Sequence, residues 1–121
     1  MKIWTAPLGL HIEMADGQDA SQLAKLHAEG FFRGWSVPDF VGYIDNKDTP
    51  IYVACDKNRK IAGFSILRVQ NDECELLTIV VSKRFRGKKL GDALMKAMWN
   101  DLYYSPVTKM FLEVDEDNQA A

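Results

Sequence analysis

Long apolar runs, paired cysteines and an excess of either charge are all missing from this chain of 121 residues. No apolar stretch approaches the ~18 residues that a membrane-spanning helix needs. The opening Met1–Glu13 segment is charged too early, and apolar for too short a length, to read as a secretion signal. No membrane association is expected, and a cytoplasmic location follows by default. The formal net charge is −2, from 15 basic and 17 acidic residues, so the basic surplus of a nucleic-acid binder is absent and nucleic acid is not an expected partner. Cys55 and Cys74 are the only cysteines. They form no C-x-x-C pair and have no His cluster beside them, so no metal is expected. The hairpin register described below separates them by roughly 20 Å at ~3.3 Å per residue, too far for a disulfide. His11 and His27 have no metal-like partners in the sequence and read as structural or exposed. Neither a repeat nor a low-complexity segment appears, and the length suits one domain over 1–121.

What is present is an ordered succession of element signals. Leu10–Met14 alternates as a short strand does. Asp16 offers a helix N-cap, and Ala20, Leu23, Ala24, Leu26, His27 and Phe31 recur at helical spacing, ending near Gly30. Ser36 followed by Pro38 starts a second short helix, which Thr49-Pro50 terminates. Ile51–Cys55 and Ile61–Val69 are β-rich runs joined by the turn Asp56–Lys60. After a second turn, Glu75–Val81 is a third strand, apolar enough to be buried on both faces. Leu90, Ala93, Leu94, Ala97, Met98 and Leu102 then make a helical stripe closed by Pro106, and Met110–Val114 is a last short strand. Strand, helix and strand over 75–114 make a βαβ unit, which requires parallel strands and a right-handed crossover. The predicted class is therefore α+β: a mixed sheet, with an antiparallel meander followed by one parallel crossover, and helices on its faces.

The chemistry concentrates between the third strand and the long helix. Lys83, Arg84, Arg86, Lys88 and Lys89 surround a turn punctuated by Gly87 and Gly91. A helix start presents unpaired amides and the positive end of the helix dipole, which together suit a pyrophosphate. No Walker string occurs, and a Rossmann turn would come early in a doubly wound sheet rather than after antiparallel hairpins. Taken alone, the basic run reads equally as a solvated turn or a nucleic-acid patch.

The string Glu75-Leu-Leu-Thr-Ile-Val-Val, then Arg86-Gly-Lys-Lys-Leu-Gly91, then Phe111-Leu-Glu-Val114 and Asn118 resembles the GNAT N-acetyltransferases, acyl-CoA N-acyltransferases by fold. Within them it is most similar to the branch acting on ribosomal-protein alanine. Leu23, His27, Phe31 and Gly34-Trp35-Ser36 also match segments of that branch. The resemblance implies acetyl-CoA as co-substrate and a primary amine acceptor, with a protein N-terminus favoured. It implies that Ile79, Val80 and Val81 face the arm of the cofactor, an amide near Val80 or Val81 stabilising the oxyanion. Arg86, Gly87, Lys88, Lys89, Leu90, Gly91 and Asp92 would hold the pyrophosphate, and Asn118 would contact CoA. Glu113 would be the catalytic proton acceptor.

Lys89 stands where the family has a glycine, and a lysine there implies a negative φ. Against the family pattern the chain lacks the last helix and two strands, together with the tyrosine that protonates the departing thiolate; Tyr103 and Tyr104 sit on the wrong helix to replace it. A non-catalytic acyl-CoA-binding module is the alternative. An exposed last strand would favour a homodimer. Glu75 is a weaker candidate base, and Phe31, Phe32, Trp35 and Phe40 read as core cover or as one wall of the acceptor pocket.

Overall fold

A computed structural model describes residues 2–112. Its centre is β3 (Ile51–Cys55), in which every side chain is buried. A strand of five apolar or small residues with no charge can occupy that position only if both faces are covered, and both are. The sheet is built outward from β3 in chain order, β1 (Ile3–Thr5), β2 (His11–Met14), β3, β4 (Ile61–Gln70), β5 (Glu73–Val81) and β6 (Lys109–Leu112). The first four pairings are antiparallel and β5–β6 is parallel, as the crossover through α3 (Leu90–Tyr103) demands.

Period-two alternation divides the core between two faces. Ile12, Tyr52, Ala54, Leu67, Val81, Leu90, Leu94 and Met98 pack on the face that α3 covers. Leu23, Phe40, Val53, Phe64, Ile66 and Val80 pack on the other, under α1 (Ala20–Gly30) and α2 (Val37–Asp45). Both starts on that second face are fixed locally by reciprocal capping boxes. Asp16 and Asp19 close the 3-10 turn leading into α1, and Ser36 and Asp39 close the start of α2.

Two irregularities in β4 and β5 bear on the site. Ala54 pairs with Gly63 and Cys55 with Ile61, so Ala62 is an extra residue. Ile66 pairs with Thr78 and Leu67 with Leu76, so Leu77 is another. Such bulges bend and twist the strand that carries them.

Within the sheet and its cover the structure differs from the sequence expectations at four places. β1 was not anticipated; three residues carry too little pattern, and it is held by distant contacts from Trp4 to Asn100 and from Lys2 to Asp101. β5 is not buried throughout: Glu75, Leu76, Leu77 and Ile79 are half-covered. Phe32 does not cover the core, being 91% exposed. His11 does have neighbours of ligand type, Glu13 and Cys55, because strand pairing joins residues far apart in the chain. The two cysteines are buried and free, opposite Ile61 and Val69 at the two ends of β4.

Candidate functional site

The site begins on β5 beyond its last described pair with β6. Pairing between them runs from Glu73–Lys109 to Leu76–Leu112, and the bulged Leu77 comes next. Beyond it, the direction of each peptide follows from the ladder with β4. Ser82 donates to the Ala62 carbonyl at 2.8 Å, and the Val80 carbonyl lies against Gly63. In an antiparallel ladder alternate residues turn both peptide groups to the same partner. Val80 therefore faces β4, while Ile79 and Val81 turn their peptide groups to the outer edge. Arg86 Nε donates to the Val81 carbonyl at 3.1 Å, in keeping with that direction. Of the three strand residues expected to face a cofactor, Val80 contributes a buried side chain rather than an available amide. Thr78 Oγ1, on the same strand, is a buried hydroxyl with no partner among the described residues.

The turn after β5 brings its charges together, and among the described residues none of them is paired with an acid. Lys83, Arg84, Lys88 and Lys89 are exposed, whereas Arg86 is half-buried and ties the turn to the strand end. Gly87 takes φ +73° and Lys89 takes φ 66°, ψ 20°, both left-handed. The expected negative φ at Lys89 is thus incorrect. The chain must reverse between the strand and α3, and the left-handed residue immediately before the helix makes that reversal. Ala93 donates the first intrahelical bond, to Lys89, which leaves the amides of Leu90, Gly91 and Asp92 without an intrahelical carbonyl. Nothing among the described residues lies within 4 Å of a Cβ placed on Gly87 or Gly91, so neither glycine is enclosed by packing.

Left-handed backbone costs a side-chain-bearing residue roughly 1–2 kcal/mol; the greater freedom of glycine in the unfolded chain offsets part of this. Lys89→Gly is expected to stabilise the fold by about 1 kcal/mol, read as a higher urea midpoint. A lower midpoint would mean that the lysine side chain contributes more than its backbone costs.

On the opposite face from α3, the connection between α1 and α2 is pinned by His27. Its ring is stacked between Phe31 and Trp35, with centroids at 4.2 and 4.4 Å, and Nδ1 accepts from the Trp35 amide at 3.0 Å. Phe40 and Phe64 close the cluster edge-on at 5.6 Å. Burial pushes the imidazole down to about 4 from an ordinary 6.5. The neutral ring is favoured in the folded state, so its contribution is complete above pH 6.5 and is lost as pH falls towards 4. That difference is worth roughly 3 kcal/mol. Urea stability should fall by that order across the window, and His27→Gln should flatten the profile; parallel profiles would contradict it. Glu113 and Asn118 lie outside the described residues, as does Val114. Glu75 sits 3.8 Å from Arg68 in a surface ion pair, and Tyr103 and Tyr104 are 81% exposed at the end of α3.

Residues 20–121 match the family described as the acetyltransferase (GNAT) family. The chain belongs to that family. Among solved structures, the ribosomal-protein-S18-alanine N-acetyltransferase of Escherichia coli superposes with a TM-score of 0.79 at 22% identity, over 92% of this chain and 70% of that one. A Bacillus subtilis protein named as a candidate ribosomal protein bS18-alanine N-acetyltransferase is 20% identical over 86% of this chain and 69% of its own. An aminoglycoside acetyltransferase from an uncultured soil metagenomic sample, solved with sisomicin, has a TM-score of 0.73 at 17% identity, over 89% of this chain and 79% of its own. The shared fold therefore accompanies unlike acceptors, and the GNAT assignment concerns fold and acetyl transfer. GNAT proteins use acetyl-CoA as co-substrate. The helix-start amides, the outward peptides of β5 and the surrounding cations are of the kinds that its pyrophosphate and amide-bearing arm would need.

Proposed function

We propose that this GNAT chain transfers the acetyl group of acetyl-CoA to a protein N-terminal amine by direct attack in a ternary complex. The observations that carry the reading are the outward peptides of Ile79 and Val81 and, after one turn of chain, the amides of Leu90–Asp92 that have no intrahelical partner. Acetyl-CoA supplies an acyl group activated as a thioester. Ile79 and Val81 bind and align its arm, and the turn 87–92 holds the pyrophosphate, with Lys88 and Lys89 adding charge. The Val81 amide is the donor assigned to the oxyanion, and Asn118 is assigned a CoA contact on the resemblance alone.

Glu113 accepts the proton that the acceptor ammonium must lose before nitrogen attacks the carbonyl carbon and the carbon–sulfur bond breaks. An N-terminal amine with a pKa of ~7.7–8 needs far less help at neutral pH than a lysine at ~10.4, which favours the former as acceptor. Phe31, the exposed Phe32 and Trp35 are the proposed wall of the acceptor pocket, with the buried Phe40 packed against Trp35 in support, and the described edge at β6 is the proposed surface for a homodimer.

Calorimetry with acetyl-CoA, followed by mass spectrometry of peptides beginning with alanine, tests both halves. Binding and acetylation of the N-terminus are expected. Binding without any acetylated peptide would remove the catalytic half, and no binding at millimolar cofactor would remove both.

A further inference from the structure

We propose that His11, Glu13 and Cys55 form a binding site for one zinc-class divalent cation, separate from the acetyl-transfer site. Three features of the sheet create it. His11 and Cys55 are directly opposed in the β2–β3 ladder. Glu13 is two residues further along β2 and so shares the face of His11. The three potential ligand atoms all lie within 4.8 Å of one another.

The spacing suits a tetrahedral ion. With zinc–sulfur at ~2.3 Å and zinc–nitrogen at ~2.0–2.1 Å, the sulfur-to-nitrogen edge of a tetrahedron is about 3.5–3.6 Å. Cys55 Sγ is 3.6 Å from His11 Nε2. Glu13 Oε2 is closer, 2.5 Å from the same nitrogen, because the two now share a hydrogen bond; metal ligation would open that contact to about 3.4 Å. The other oxygen of Glu13 is held by Arg59 Nη1. A ligating carboxylate whose free oxygen is fixed by an outer partner is a common arrangement in metal sites.

The charge around the three residues is also suitable. Asp16, Asp19 and Glu13 all lie within 4.0 Å of the Arg59 guanidinium, so one cation faces three anions before the thiol is counted. Access comes from one side. The His11 and Glu13 side chains are 30% and 18% exposed, while Cys55 is fully buried beneath them, leaving a fourth position for water. Binding would release the thiol proton and any proton on His11 Nε2. It would clamp β2 to β3, which lie about 14 and 10 Å from β5 at ~4.8 Å per strand, so acetyl-CoA binding and metal binding can fail separately.

The test uses reduced, metal-stripped protein titrated with Co²⁺ and Zn²⁺. One Co²⁺ per chain is expected, with thiolate-to-cobalt charge-transfer absorption that Zn²⁺ abolishes by displacement. Cys55→Ser should remove that absorption. His11→Gln, at a half-exposed position and checked for folding by circular dichroism, should weaken Co²⁺ at least ~10-fold, the lower end for losing even an outer-shell partner. Cys74→Ser should leave both readouts unchanged. No uptake at tenfold molar excess, uptake without charge transfer, or affinity that His11→Gln leaves intact would each overturn the site.

Discussion

Glu113→Gln is expected to lower kcat for an N-terminal peptide by about 10²–10⁴-fold at neutral pH, the usual range for loss of a positioned proton acceptor. The KM for acetyl-CoA should be little changed, because the groups proposed to hold the cofactor lie in β5 and the turn 87–92. A dependence on pH separates proton transfer from a general loss of structure. The acceptor amine has a pKa of ~7.7–8, so above that range it is already neutral and the defect should narrow. A variant equally impaired at every pH would point to disturbed geometry. One with unaltered kcat would remove Glu113 from the mechanism. Glu113 follows directly on Leu112, the residue that pairs with Leu76 at the last described rung of the parallel ladder.

Arg59→Met should destabilise the fold by about 3–5 kcal/mol, the range observed when one member of a buried ion pair is removed. Asp19 is 1% exposed and receives Arg59 Nε at 3.2 Å and Nη2 at 2.5 Å. Without the guanidinium, Asp19 keeps the Asp16 amide but no counter-charge, and Glu13 loses a partner as well. Methionine retains most of the apolar stem, so the comparison isolates the charged head. Urea unfolding at neutral pH with a chelator present provides the measurement. A loss below about 1 kcal/mol, the range of an exposed pair, would mean that water already reaches Asp19. A pH effect should accompany it. The His11 hydrogen bond, then Arg59, holds the Glu13 carboxyl below its ordinary 4.5. That contribution is present above 4.5 and fades as the pH falls through the lower folded value, so the Arg59 variant should lose less on acidification than the parent.

Both of these expectations draw on information of different kinds. Helix starts at Asp16 and Ser36, the hairpin through Asp56–Lys60 and the βαβ crossover were readable because each is encoded in neighbouring residues. Capping boxes and alternating strands need no knowledge of the rest of the chain. The candidate turn was legible for the same reason, as glycines and cations between a strand and a helix.

The missed features depend on distance or handedness. β1 pairs with β2 over three residues only, too few to show alternation, and its Trp4 is tied to Asn100 nearly a hundred positions away. The extra residues Ala62 and Leu77 have no sequence signal, since a bulge is a mismatch between two strands rather than a property of one. Lys89 shows the other limit: its side chain argued for a right-handed or extended backbone, and the reversal before α3 overrode that preference. The Arg59 cluster drew on β2, the 3-10 turn before α1 and a hairpin, and only folding placed them together.

Gly63 has an influence out of proportion to its size. A Cβ there would sit 3.0 Å from the Val80 carbonyl and 3.4 Å from Leu90 Cδ2, so the absent methyl sets the spacing between two layers. Leu90 is the first residue of α3, and the amides proposed to meet phosphate belong to that same turn. Lifting the helix from the sheet would carry those amides with it, whereas Ile79 and Val81 would stay with β5. The two halves of the proposed cofactor path are therefore held in register by a gap in the interior. A residue that no ligand touches acts as the spacer of a gauge, and changes in it would be felt as misalignment rather than as a lost contact.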